Sequence, residues 1–128
     1  MPDKITVLYV EDNRENRLLV RRVLEAEQFT VLEADSAGQA LQVLVDHLPD
    51  LILMDINLPE IDGYTLTTRL RSDPRLYGVP IIAMTANVMR GDRERTLQAG
   101  CDAYIQKPID VDTLAAQLRR YINEVPYA

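Results

Sequence analysis

Five short apolar runs alternate along the chain with five longer amphipathic segments, and this alternation limits the possible folds more than any other feature. The runs are Ile5-Thr6-Val7-Leu8-Tyr9-Val10, Thr30-Val31-Leu32-Glu33-Ala34, Leu51-Ile52-Leu53-Met54, Pro80-Ile81-Ile82-Ala83-Met84 and Ala103-Tyr104-Ile105. They have strand length and carry many β-branched residues. The third is continuously apolar, as a strand buried on both faces would be. The second alternates, which suits a sheet edge. The proline of the fourth is tolerated at a strand start.

Between the runs the period becomes helical. Leu19, Val20, Val23 and Leu24 stripe a first helix. Ala37, Ala40, Leu41, Leu44, Val45 and Leu48 stripe a second, with Ser36 and Gln39 placed as a capping box. Leu66 and Leu70 mark a shorter third helix after Asp62-Gly63. Val111, Leu114, Ala115, Leu118, Tyr121 and Ile122 stripe the last, with Asp110 as its expected N-cap. The fourth helical segment, roughly residues 88–99, has Met89 and Leu97 around a charged middle and stops at Gly100, a natural C′ residue. So little apolar surface predicts a weakly held element, the kind that takes part in conformational switching.

Alternating strands and helices predict an α/β fold, because neighbouring parallel strands need a long crossover. Right-handed crossovers make it a doubly wound, five-stranded parallel sheet with helices on both faces. At 128 residues the chain is one domain's worth. We expect a single domain over residues 1–128, with 124–128 a short tail; such a chain is a stand-alone module or one cut from a larger protein. The net charge of −6 argues against a nucleic-acid coat and against adhesion to an anionic membrane. The one cysteine, Cys101, excludes an internal disulfide. No run approaches a membrane span and no signal peptide is evident. A cytoplasmic location is expected.

In such sheets ligands bind beyond the carboxyl ends of the strands. The first strand ends in Glu11-Asp12-Asn13, the third in Asp55, the fourth in Thr85-Ala86-Asn87 and the fifth in Lys107-Pro108. If the first and third strands are neighbours, Glu11, Asp12 and Asp55 crowd together and raise one another's pKa. A divalent cation relieves that repulsion. An open, oxygen-only site suits Mg²⁺, which keeps several waters. Asp55 is then either a ligand only or a nucleophile that carries a phosphoryl group. Lys107 offers a positive charge and Thr85 a hydroxyl donor for the charge spread in such a transfer.

The segments Val7 to Asn13, Leu51 to Pro59, Ile82 to Ala86 and Tyr104 to Pro108 resemble the response-regulator receiver domain of two-component signalling, in particular its chemotaxis-regulator-like members. Four motifs in order, at the ends of four strands, carry the resemblance over essentially the whole chain. It implies the flavodoxin-like sheet order 2-1-3-4-5. It implies that Asp55 accepts a phosphoryl group from a phosphohistidine on a sensor histidine kinase or phosphotransfer protein. It assigns Mg²⁺ to Asp12 and Asp55, to Glu11 through water, and to the backbone carbonyl of Asn57. Thr85 becomes the switch hydroxyl, Tyr104 the switch aromatic and Lys107 the phosphoryl-contacting lysine, with the bond to Pro108 usually cis. Asn57 and Asn87 flank the phosphosite. The output is a downstream protein target bound through the fourth helix, fifth strand and fifth helix. The chain is thus expected to be a signalling module, not an enzyme.

Each residue also has a plainer reading. Glu11-Asp12 alone is an ordinary acidic helix start. Thr85 alone is a β-branched strand end, and Lys107 alone a solvated charge. Tyr104 alone is a half-buried strand aromatic. His47 suits a helix C-terminus, and Cys101 packs as a small apolar residue. Arg90, Arg93 and Arg95 read as a solvated face, as do Arg14, Arg17, Arg21 and Arg22, although the family often docks its kinase on the first helix. Two other functions of such a sheet require features at these positions that differ from those present. A phosphatase using an aspartyl phosphate needs a general acid two residues after the nucleophile, where this chain has Asn57. A flavin carrier needs a phosphate loop after the first strand, where this chain is acidic.

Overall fold

The apolar runs pair side by side into one sheet in the computed structural model, which describes residues 4–58, 61–85 and 98–124. The strands are β1 (Ile5–Val10), β2 (Phe29–Ala34), β3 (Leu51–Asp55), β4 (Ile81–Thr85) and β5 (Ala103–Gln106). All pairs are parallel, and the order is β2-β1-β3-β4-β5. This is the flavodoxin-like doubly wound arrangement. The central strand β3 is buried along its whole length, which accounts for its unbroken apolar run. The alternating β2 lies at an edge. Pro80 sits just before β4, where its missing N–H costs no ladder bond.

Four helices are described: α1 (Arg14–Ala26), α2 (Ala37–Asp46), α3 (Gly63–Arg71) and α4 (Leu114–Glu124). A short 3-10 turn, Pro74–Leu76, follows α3. On one face of the sheet Val20 and Leu24 of α1 and Leu114, Ala115 and Leu118 of α4 pack on Val7, Tyr9, Leu51, Leu53, Ile82 and Met84. On the other, Ala37, Ala40 and Leu44 of α2 and Leu66 and Leu70 of α3 pack on Leu8, Val10, Ile52, Met54, Ile81 and Ala83. Each fully buried side chain of this size contributes roughly 1.5–3 kcal/mol.

The helix starts follow local chemistry. Asn13, Ser36 and Asp62 are N-caps whose side chains accept from the N–H groups of Asn16, Gln39 and Thr65. Gln39 reaches back to the N–H of Asp35, one residue before the position a standard capping box would fill. Three expectations change. Leu19 is 51% exposed and Val45 and Leu48 are 72% and 57% exposed. The buried stripes of α1 and α2 are therefore narrower than the sequence pattern, and α2 stops at Asp46, before Leu48. Asp110 does accept from the N–H of Asp112, but residues 111–113 form a turn and the helix proper begins at Leu114. The expected fourth helical segment lies outside the described residues except for its end, where Gln98 and Ala99 are helical and Gly100 has φ +108°.

Gly63 opens α3 directly behind the end of β3. A Cβ there would lie 2.8 Å from the Cα of Ile56 and 3.0 Å from the carbonyl oxygen of Asp55. Both contacts are with backbone, so the strand end must move to accept it. Gly63→Ala is expected to lower stability by about 1–3 kcal/mol in urea unfolding; an unchanged midpoint would show that the junction yields freely.

Candidate functional site

Three strands deliver the charged groups. β1 runs into Glu11 and Asp12, β3 ends in Asp55, and β5 leads through Gln106 to Lys107. The pairing of β1 with β3 sets the acids side by side. Glu11 and Asp55 extend the alternation that points Tyr9 and Leu53 toward α1 and α4. A carboxylate oxygen from each of Glu11, Asp12 and Asp55 lies within 4.8 Å of the others.

Asp55 is buried, and both its oxygens are held. Lys107 Nζ donates to Oδ2 at 2.7 Å, and the N–H of Asn57 donates to Oδ1 at 2.9 Å. Glu11 is 1% exposed. Its Oε1 accepts from Lys107 Nζ at 3.1 Å, and from the Tyr9 hydroxyl and Asn16 Nδ2, each at 3.4 Å. Its Oε2 accepts from the N–H of Asn13 at 3.4 Å. Asp12 is exposed, and so is Asn57. Lys107 therefore bridges two buried acids, while the third acid faces solvent.

Burial is the largest influence on Glu11. It pushes the carboxyl up to about 7, with the hydrogen bond and charge of Asp55 adding to it and Lys107 opposing it. Mutual repulsion of crowded acids, the cause expected from the sequence, is a lesser part of this rise. The hydrogen bond with Asp55 comes second and its charge third, because the ends of β1 and β3 are themselves inside the protein. Burial alone would lower the Lys107 ammonium, but Asp55 and Glu11 outweigh it and hold the group above its ordinary value. The Tyr9 phenol is pushed up by burial and by the charges of Glu11 and Asp55.

The donor set fits a hard divalent cation. It consists of oxygen atoms only and mixes buried and exposed carboxylates, a donor set that suits Mg²⁺ with part of its water shell kept. Glu11, Asp12 and Asp55 are the side chains that would hold the ion.

Thr85 is buried at the end of β4, one residue past Met84, the partner of Asp55. Its carbonyl oxygen accepts from the N–H of Lys107 at 2.7 Å. Tyr104 is half-buried and packs with the cluster under α2 and α3. Thr85 pairs with Gln106, so Thr85 and Tyr104 are diagonal neighbours on one face of the sheet. The Lys107–Pro108 bond is cis. His47 caps the end of α2. Cys101 is buried, and burial pushes its thiol up. Asn87, Arg90, Arg93 and Arg95 lie outside the described residues.

Residues 7–119 match the response regulator receiver domain. The chain belongs to that family. It is 43% identical over 119 residues to the polar-differentiation response regulator DivK of Brucella ovis, covering 93% of this chain and 97% of that one. The receiver domain of the sensor histidine kinase PA1611 from Pseudomonas aeruginosa was solved with a magnesium ion coordinated in its active-site cleft. It is 38% identical and superposes with a TM-score of 0.85, covering 94% of this chain and 98% of that one. The chemotaxis response regulator CheY4 of Vibrio cholerae, at 24% identity, shares the fold with a TM-score of 0.87, covering 91% of this chain and 98% of that one. Among the described residues no helix is long and apolar enough to cross a membrane.

Sequence reasoning missed two members of this receiver site. Tyr9 stands two residues before Glu11 on the same side of β1, a spacing that marked it for the core. Arg17 Nη1 donates to the carbonyl oxygens of Glu11 at 2.7 Å and Asp12 at 3.1 Å. A side chain that grips main-chain oxygens leaves no pattern in the sequence.

The raised Glu11 gives a test of its burial. Between about 4.5 and 7 the folded chain holds a proton on Glu11 that the unfolded chain lacks. The stability from this group is complete below that window and is lost as pH rises through about 7. In chelator, Glu11→Gln should therefore gain stability relative to the parent chain as pH rises from 5 to 8, read from urea midpoints. A constant difference would mean that Glu11 is not held neutral by burial.

Proposed function

We propose that the chain is a phosphoacceptor receiver that takes a phosphoryl group on Asp55 and changes its protein contacts in response. The observation that carries this reading is the state of Asp55. It is a buried carboxylate at a strand end, with one oxygen on Lys107, the other on the Asn57 N–H, and two further acids beside it. A buried acid with a specific charged partner at a strand rim is the kind of group that functional sites use.

A carboxylate oxygen of Asp55 attacks the phosphorus of a phosphohistidine in line. The P–N bond breaks, and the imidazole leaves with the electron pair and takes up a proton. Bound Mg²⁺ supplies positive charge to the phosphoryl oxygens. Glu11, Asp12 and Asp55 would hold the ion together with the Asn57 carbonyl, in keeping with the magnesium-bound PA1611 receiver. Lys107 already contacts the Asp55 carboxylate and offsets part of the added charge. Thr85 donates its hydroxyl to the new phosphoryl group, and Tyr104, on the same face, repacks behind it. That is a population shift between two packings of one element.

The donor is a sensor histidine kinase or phosphotransfer protein in the cytoplasm, and the output is a downstream protein target. A groove of about 570 Å³ lined by Asn16, Leu19, Val20, Lys107, Pro108 and Ile109 lies beside the site. It gives the donor an apolar approach and accounts for the exposure of Leu19. The chemistry assigned to the chain is self-directed transfer and hydrolysis of its own phosphoryl group.

Incubation with a radiolabelled phosphohistidine protein and MgCl₂ should label the chain. Asp55→Asn and chelator should each abolish the label, and Lys107→Ala should slow it by about 100-fold. Persistent labelling of Asp55→Asn would overturn the assignment.

A further inference from the structure

We infer that Arg17 is a positioning residue, which fixes the main chain of Glu11 and Asp12 so that the Asp12 carboxylate is aimed at the cation. The inference rests on the magnesium reading above. Glu11, Asp12 and Asn13 are the three residues that join β1 to α1. The N–H of Glu11 makes the last contact with β2, on the carbonyl of Ala34 at 3.0 Å. Beyond it, the Arg17 guanidinium reaches back from the first turn of α1 and bridges both carbonyls, at 2.7 Å and 3.1 Å. Its Nε faces Glu33 Oε1 on β2 at 3.6 Å, and its side chain is only 17% exposed. Glu33 in turn accepts from Arg21 Nη1 at 2.7 Å. The guanidinium is thus tethered from the sheet on one side and grips the acid-bearing loop on the other. An exposed carboxylate such as that of Asp12 has few side-chain contacts to direct it, so its main chain must do so.

The same side chain carries a positive charge toward a cation site, and that charge alone would weaken binding. Position and charge therefore predict opposite outcomes. Arg17→Lys keeps the charge but loses the rigid guanidinium plane that lets Nη1 hold both carbonyls while Nε faces Glu33. Arg17→Gln loses both. Groups that orient metal ligands typically change affinity by about 10–100-fold when removed.

MgCl₂ is titrated into the whole chain by calorimetry, with far-UV circular dichroism and thermal midpoints recorded in chelator. Both variants are expected to bind Mg²⁺ about tenfold more weakly than the parent while keeping the native spectrum. Parent-like binding by Arg17→Lys overturns the inference, whether or not Arg17→Gln folds. Tighter binding by Arg17→Gln also overturns it, since charge would then be the whole effect. A parent chain that fails to bind Mg²⁺ overturns the magnesium reading itself, which is a different result from variants that match a binding parent.

Discussion

One ammonium group makes the rim of this sheet tolerable. Lys107 lies 2.7 Å from Asp55 and 3.1 Å from Glu11, and both acids are almost wholly withdrawn from solvent. Two buried carboxylates without a cation would cost several kcal/mol each. One lysine cannot neutralise both, and Asp12 adds a third acid at the edge. The charge balance at the site is short of positive charge by construction. That shortage gives a divalent cation somewhere to bind, and it adds to burial, the larger cause, in pushing the Glu11 carboxyl up.

The topology is what allows Lys107 to serve there. Glu11 and Lys107 are separated by 96 positions and Asp55 and Lys107 by 52. Parallel strands bring all their carboxyl ends to one rim, and the order β2-β1-β3-β4-β5 puts the acid-bearing strands at the centre. β5 lies beyond β4, so Lys107 must reach across the end of β4. Its N–H on the Thr85 carbonyl anchors that reach.

The fold was legible because its signals are periodic and local. The continuous run in β3, the alternation in β2 and the caps at Ser36 and Asp62 each follow from neighbours in sequence. The charged rim was legible for a related reason: acids directly after apolar runs must sit at strand ends. The errors lie where burial depends on distant elements. Val45 and Leu48 fit the helical period, but nothing in the described fold covers them. Leu19 fits it too, yet it borders the groove beside Pro108 and Ile109. Tyr9 looked like core and is core, but its hydroxyl also reaches Glu11, a contact that depends on how deeply β1 is buried. Arg17 acts through main-chain oxygens and has no complementary residue type to betray it.

The two faces of the sheet divide the proposed work. Glu11, Asp55 and Lys107 follow the alternation that faces α1 and α4, whereas Thr85 and Tyr104 follow the one that faces α2 and α3. A phosphoryl group on Asp55 would therefore reach the second face through neighbouring strand ends, among them the end of β4, where Thr85 is the last residue of the strand. Thr85 already links the two sides, since its carbonyl holds Lys107 while its side chain sits on the Tyr104 face. A rearrangement at that residue changes the anchoring of the lysine and the packing of the aromatic together. Chemistry at the rim and repacking on the far face would then be coupled through that strand end.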